Sequence, residues 1–147
     1  MKPIGYWLNR TDRALTATMN TLLADFGLTR LAWQVLKVVE DDPRATDTTV
    51  RTVLAANAGP EALTAAIGAV LSGGWVVRPE PGRLALTGDG RARLAEVALR
   101  VGDFRELSTA GISHGEYAAA VGVLERMTRN LEQAARVRPG RGGGGRR

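Results

Sequence analysis

The sequence predicts a mainly α-helical fold carrying one small β-hairpin, an α+β arrangement. Three observations predict it. Apolar residues recur at helical spacing in segments separated by Gly, Pro and capping Thr or Ser. The stretch Gly73–Leu94, GGWVVRPEPGRLALTGDGRARL, interrupts that rhythm and reads as strand, turn, strand and helix start. A hairpin of this size cannot bury its own apolar face, and the helix ending near Ser72 is available to cover it. Helix, hairpin, helix is the order of a winged helix-turn-helix.

The first helix is expected over Pro3–Phe26. Ile4, Leu8, Leu15, Met19, Leu22, Leu23 and Phe26 share a face, Pro3 suits the start, and Asp12 interrupts the stripe. Gly27 ends it and Thr29 caps the second helix, Arg30–Glu40, with Ala32, Val35, Leu36 and Val39 inward and Trp33 partly aside. Glu40, Asp41 and Asp42 disfavour a helix C-terminus, and Pro43 agrees. They read as a solvated loop rather than a hard-cation site, because no further acid completes a shell. A third helix is expected over Thr46–Asn57, with Val50, Val53 and Leu54 inward. The fourth, Pro60–Ser72, buries Leu63, Ile67, Val70 and Leu71 and stands in the recognition-helix place. Trp75–Val77 and Leu84–Leu86 form the strands, with Pro79, Pro81 and Gly82 turning between them. Thr87 caps a long helix broken at Gly111, and Ser113 with Glu116 forms a capping box for the last. His114 is read as an exposed first-turn residue and Met127 as a core residue on the Tyr117, Val121, Leu124, Leu131 stripe. RPGRGGGGRR is expected to be a disordered Gly/Arg tail.

With 147 residues and no cysteine, the chain suits one domain and excludes disulfides and thiolate metal sites. No secretory signal or membrane-spanning run is evident, so a cytoplasmic protein that does not enter membranes is expected. The net charge of +5 resides in Arg136, Arg138, Arg141, Arg146 and Arg147; the rest carries 15 basic and 15 acidic residues. Any DNA-facing patch must therefore come from local clustering. One histidine, no cysteine and no nucleophile beside a base argue against an enzyme, and Gly88-Asp89-Gly90 lacks the lysine and length of a phosphate loop. No catalytic residue, metal site or cofactor is expected.

These segments resemble the MarR-type (multiple antibiotic resistance regulator) winged helix-turn-helix transcription factors. GYWLNRTDRALTATMNTLLADFGLTRLAWQVL resembles that family's first helix, Gly-Leu-Thr junction and Trp-x-x-Leu second helix. AVLSGGWVVR resembles the recognition helix running into the wing, LALTGDGRARL the Leu-Thr-x-x-Gly signal after it, and GISHGEYAAAVGVLERMTRNLE the final helix. The resemblance spans nearly everything from Pro3 to Gln133. It implies a dimerisation helix at 1–27, a DNA-binding lobe at 28–87, dimerisation helices at 88–137 and the tail at 138–147. It further implies a homodimer, two lobes meeting successive major grooves of double-stranded DNA about 34 Å apart, and a crevice for a small aromatic effector. Trp7 and Trp33 are the aromatic candidates for that crevice; the alternative for both is packing at the junction of the first two helices. Function is then expected to be that of a dimeric transcriptional repressor.

Two departures from the family stand out. The wing is short, and although Arg83 matches the arginine that enters the minor groove, Glu80-Pro81-Gly82 supplies no aspartate beside it. The outward face of the fourth helix has no Lys, Arg, Asn or Gln, the side chains that read bases in pairs. Thr64 and Ser72 can make single hydrogen bonds, Ala65 can touch a thymine methyl, and Glu61 can repel phosphate or accept from a cytosine amine. Phosphate contacts fall to Arg44, Thr48, Thr49, Arg51, Arg78 and Arg83. Modest affinity with shallow salt dependence is expected of the body, with non-specific attraction added by the tail. The competing reading is a winged-helix module that binds a protein partner through the small-residue face of the fourth helix.

Overall fold

The computed structural model describes residues 1–137. Six helices and a two-stranded hairpin follow in the order α1 (Ile4–Ala24), α2 (Arg30–Asp41), α3 (Asp47–Val53), α4 (Pro60–Ser72), β1 (Val76–Val77), β2 (Ala85–Leu86), α5 (Gly88–Ser108) and α6 (His114–Val137). This is the mainly α, winged helix-turn-helix arrangement that the sequence predicts. The tail expected at 138–147 lies outside the described residues.

The chain falls into two compact units, Met1–Arg105 and a second from Glu106 onward. The first is built around α2, which lies against α1, α3, α4 and β2. Its face of Ala32, Val35, Leu36, Val38 and Val39 is buried, and Leu23, Val50, Leu63, Val70, Leu84 and Val97 close the core around it. Only the C-terminal end of α1 joins this core, through Leu22 and Leu23, with Met19 and Phe26 half-buried beside them. Ile4, Trp7, Leu8 and Leu15 on the same helix stay exposed. Gly27, at φ +71°, allows the reversal that brings the Leu28 N–H back to the Leu23 carbonyl at 3.0 Å.

The hairpin pairs Val76 with Leu86 and Val77 with Ala85, antiparallel. A third backbone segment extends this ladder. The Leu84 N–H donates to the Ala45 carbonyl at 2.9 Å, the Asp47 N–H donates to the Gly82 carbonyl at 3.1 Å, and Thr46 bridges to Arg83. The hairpin is thus tied to the residues that lead into α3. Thr87 fastens its far end: its hydroxyl accepts from the Gly90 N–H at 2.8 Å, starting α5, and donates to the Gly74 carbonyl at 2.7 Å.

The third helix is shorter than its apolar spacing predicts. It ends at Val53, Leu54 leaves helical geometry, and the Asn57 N–H closes a turn onto the Leu54 carbonyl at 2.9 Å. Val50 and Leu54 are buried, whereas Val53, expected inward, is 59% exposed. The strands are also shorter than expected, because Trp75 turns into the core and Leu84 pairs with Ala45 rather than with the opposite strand.

In the second unit, Ser113 and Glu116 form the expected box: Ser113 Oγ accepts from the Glu116 N–H at 3.1 Å, and the Glu116 carboxylate accepts from the Ser113 N–H at 3.0 Å. These bonds to Ser113 hold the Glu116 carboxyl below its ordinary range. No residue of α6 is fully buried; Met127, expected in a core, is half-buried, and Tyr117, Val121, Val123 and Leu131 are exposed. Among the described residues no helix is long and apolar enough to cross a membrane.

Candidate nucleic-acid interface

The α3–turn–α4 pair and the hairpin place one exposed surface on the first unit. Each of its side chains is set by local chemistry. Thr46 caps α3, its Oγ1 accepting from the Thr49 N–H at 3.1 Å while Thr49 Oγ1 accepts from the Thr46 N–H at 3.1 Å. Thr49 is therefore committed to the cap and half-buried, while Thr48 beside it is exposed. Pro60 opens α4 with Glu61 in its first turn, an arrangement that suits the positive end of the helix. The α4 face turned away from Leu63, Ala66, Ile67 and Val70 presents Glu61, Thr64, Ala65 and Gly68 to solvent.

The arginines divide sharply. Arg78, at the end of the first strand, clasps Asp47 at the start of α3 with both nitrogens, Nη1 to Oδ1 at 2.6 Å and Nη2 to Oδ2 at 3.0 Å. That hydrogen bonding is the main cause of an Asp47 carboxyl held below its ordinary value; burial opposes it, and the charges of Arg78 and Arg51 add to it. Asp47 escapes sequence reasoning because its partner lies 31 residues away. Arg83 folds back rather than outward. Its Nη2 donates to the Pro43 carbonyl at 3.0 Å, Nη1 lies 3.7 Å from Glu80, and Nε is buried without a partner among the described residues. Glu80 thus stands where an aspartate brace is missing from the wing.

Arg51 does the opposite. It projects from α3 onto α4, where Nη2 donates to Thr64 Oγ1 at 3.1 Å, and Thr64 in turn donates to the Pro60 carbonyl at 2.9 Å. A helix without basic residues on its outward face thereby acquires a guanidinium from its neighbour. Arg44 is exposed on the loop before α3, where its backbone N–H donates to Asp42 Oδ1 at 2.9 Å. Asp42 of the acidic run is thus employed as a turn residue, and among the described residues no cluster of potential metal ligands forms.

The two tryptophans proposed for a ligand lie in different settings. Trp7 is 50% exposed, edge-on to Tyr6 at 5.1 Å between centroids and 5.8 Å from the Arg10 guanidinium. Trp33 is half-buried against the core. The third tryptophan, Trp75, is buried under Arg93, whose guanidinium lies 3.8 Å from the ring centroid and donates to the Gly73 carbonyl at 3.2 Å. Arg93 thereby caps the end of α4 and fixes it to α5, a role that a single arginine on a helical stripe does not announce.

Comparison with solved structures finds this arrangement again. The reduced form of MarR from E. coli aligns with a TM-score of 0.69 and 23% identity, over 86% of this chain and 94% of that one. A Mycobacterium tuberculosis MarR family protein in complex with DNA aligns with a TM-score of 0.69 and 22% identity, over 86% and 98% of the two chains. Bordetella bronchiseptica BpsR, whose DNA binding is regulated by 6-hydroxynicotinic acid, aligns with a TM-score of 0.66 and 20% identity over 87% and 95%. No protein-family profile and no curated protein sequence matches the chain. The likeness is one of fold, and it extends across nearly the whole of each relative.

Proposed function

We propose that this chain, which has the winged-helix fold of the MarR-type regulators, is a homodimeric DNA-binding transcriptional repressor. The observation that carries the reading is the exposed α4 face with Arg51 laid upon it, beside a hairpin anchored to α3 by Arg78 and Asp47. On this reading Glu61, Thr64 and Ala65 face base edges, Arg44 and Thr48 line the backbone path, and Thr49 holds the α3 cap beside them. Arg78 and Arg83 set the wing. The exposed apolar faces of α1 and of α6 are each covered by a second copy, because isolated amphipathic helices need a partner for their apolar side. BpsR, a neighbour by fold, responds to an aromatic acid. A small aromatic effector is the matching ligand class here, with Trp7 and Trp33 as its candidate contacts and fluorescent reporters.

Fluorescence anisotropy at physiological salt tests the reading, comparing the protein's own promoter with scrambled DNA, for the full chain and for a chain ending at Val137. A preference of about three orders of magnitude or more, kept without the tail, is expected of a sequence-reading factor. Weak binding that depends on the tail alone would replace the reading with a protein-interaction module. The small-residue face of α4, with Ala65 and Gly68 exposed, suits close packing against another helix.

A further inference from the structure

Resting on the DNA-binding reading, we infer that Arg51 is the base-reading side chain of this lobe, specific for guanine, and that Thr64 positions it. The recognition helix offers no Lys, Arg, Asn or Gln of its own on its exposed face. The hydrogen atom of the Thr64 hydroxyl is committed to the Pro60 carbonyl at 2.9 Å, so the hydroxyl cannot donate to a base. What remains of it is acceptor capacity, and that is directed at Arg51 Nη2 at 3.1 Å. Its effect is to hold a guanidinium across the N-terminal half of α4, the part of such a helix that meets base edges.

Three other arginines of this unit are differently employed. Arg78 spends two nitrogens on Asp47, Arg83 is turned onto Pro43 and Glu80, and Arg93 lies over Trp75. Arg51 spends one N–H of its five on Thr64, the only hydrogen bond its side chain makes among the described residues. A guanidinium held by one edge keeps a parallel pair of donors free, and that pair matches O6 and N7 of guanine in the major groove. Asp47 lies one helical turn before Arg51 on α3, and the charge of Arg51 is among the causes that hold its carboxyl below the ordinary value.

The test is selection of binding sites by the full-length chain from a randomised duplex library, repeated with Arg51→Ala, Arg51→Lys and Thr64→Val. The selected site is then remade with 7-deazaguanine, which lacks the N7 acceptor. Wild type is expected to enrich a site with an invariant guanine in each half and to lose about 5- to 150-fold in affinity on deaza substitution there. Arg51→Ala should lose the preference at that one position and become indifferent to the deaza base, with its thermal midpoint unchanged, and Arg51→Lys, which lacks the planar fork, should weaken the preference there. Thr64→Val should weaken the same position while retaining the others. If Arg51→Ala selects the same site with uniformly lower affinity and a salt slope reduced by about one, Arg51 is a phosphate contact and the inference falls, while the DNA-binding reading stands. If wild type enriches no site, the DNA-binding reading falls and takes the inference with it.

Discussion

At the scale of single residues, Gly90 is the most tightly enclosed glycine of the first unit. A Cβ on it would lie 2.0 Å from the Trp75 carbonyl oxygen, a backbone atom that cannot swing aside. Gly90 is thus where α5 crosses the start of the hairpin, with Thr87 bonded to the same stretch and Arg93 stacked on the Trp75 ring. Gly90→Ala should cost about 2 kcal/mol or more, read as a lower urea midpoint. Gly88→Ala, where no atom lies within 4 Å of the added carbon, should change that midpoint far less. The Leu-Thr-x-x-Gly pattern was legible as a marker of this junction, and Thr87 as its cap. Why the last position is glycine was not, because the obstructing carbonyl is brought there by chain reversal between Trp75 and Leu86. Arg83 teaches the same lesson in the other direction: its position in the sequence suits an outward finger, and only the fold reveals the Pro43 carbonyl that bends it back.

Among elements, the decisive joint is between the hairpin and α3. The Arg78–Asp47 clasp and the two backbone hydrogen bonds from Leu84 and Asp47 make the wing and the helix-turn-helix one piece. Because Arg78 lowers the Asp47 carboxyl below its ordinary range, the clasp stabilises the fold fully above the carboxyl's unfolded value, near 3.9. That contribution is lost as pH falls through the lower folded value. Arg78 is 37% exposed, so solvent limits the pair to about 1 kcal/mol. Asp47→Asn should therefore lower the thermal midpoint at pH 7, and its gap to wild type should narrow steadily in scans from pH 5 to pH 2. Helix periodicity told the elements apart and set most of their ends. It overran α3 because Ala55-Ala56-Asn57 are sound helix formers or neutral, while the Asn57 amide, 3.3 Å from Gln34 Oε1, favours the turn.

For the whole molecule, the exposed apolar side chains bear on the proposed homodimer. Leu131 is 70% exposed, Tyr117 55% and Ile4 49%, on helices to which the family resemblance gives a dimerisation role. If the proposed homodimer covers them, Leu131→Glu should raise the dimer dissociation constant by at least about tenfold in sedimentation equilibrium and weaken DNA binding in parallel. An unchanged dimer with the glutamate in place would locate the interface elsewhere. The amphipathic stripes were readable from sequence, but their partner was not, since periodicity tells which face seeks cover and not what supplies it. The hairpin has a last consequence at this scale, for the behaviour of the protein in concentrated solution. A two-stranded sheet ordinarily offers two open edges on which foreign chains can add and aggregate. Here the segment 45–47 already occupies one flank, and the other is β1, two residues long and followed at once by Arg78 and Pro79. The wing thus keeps a hairpin's shape while offering almost no template for intermolecular strand growth.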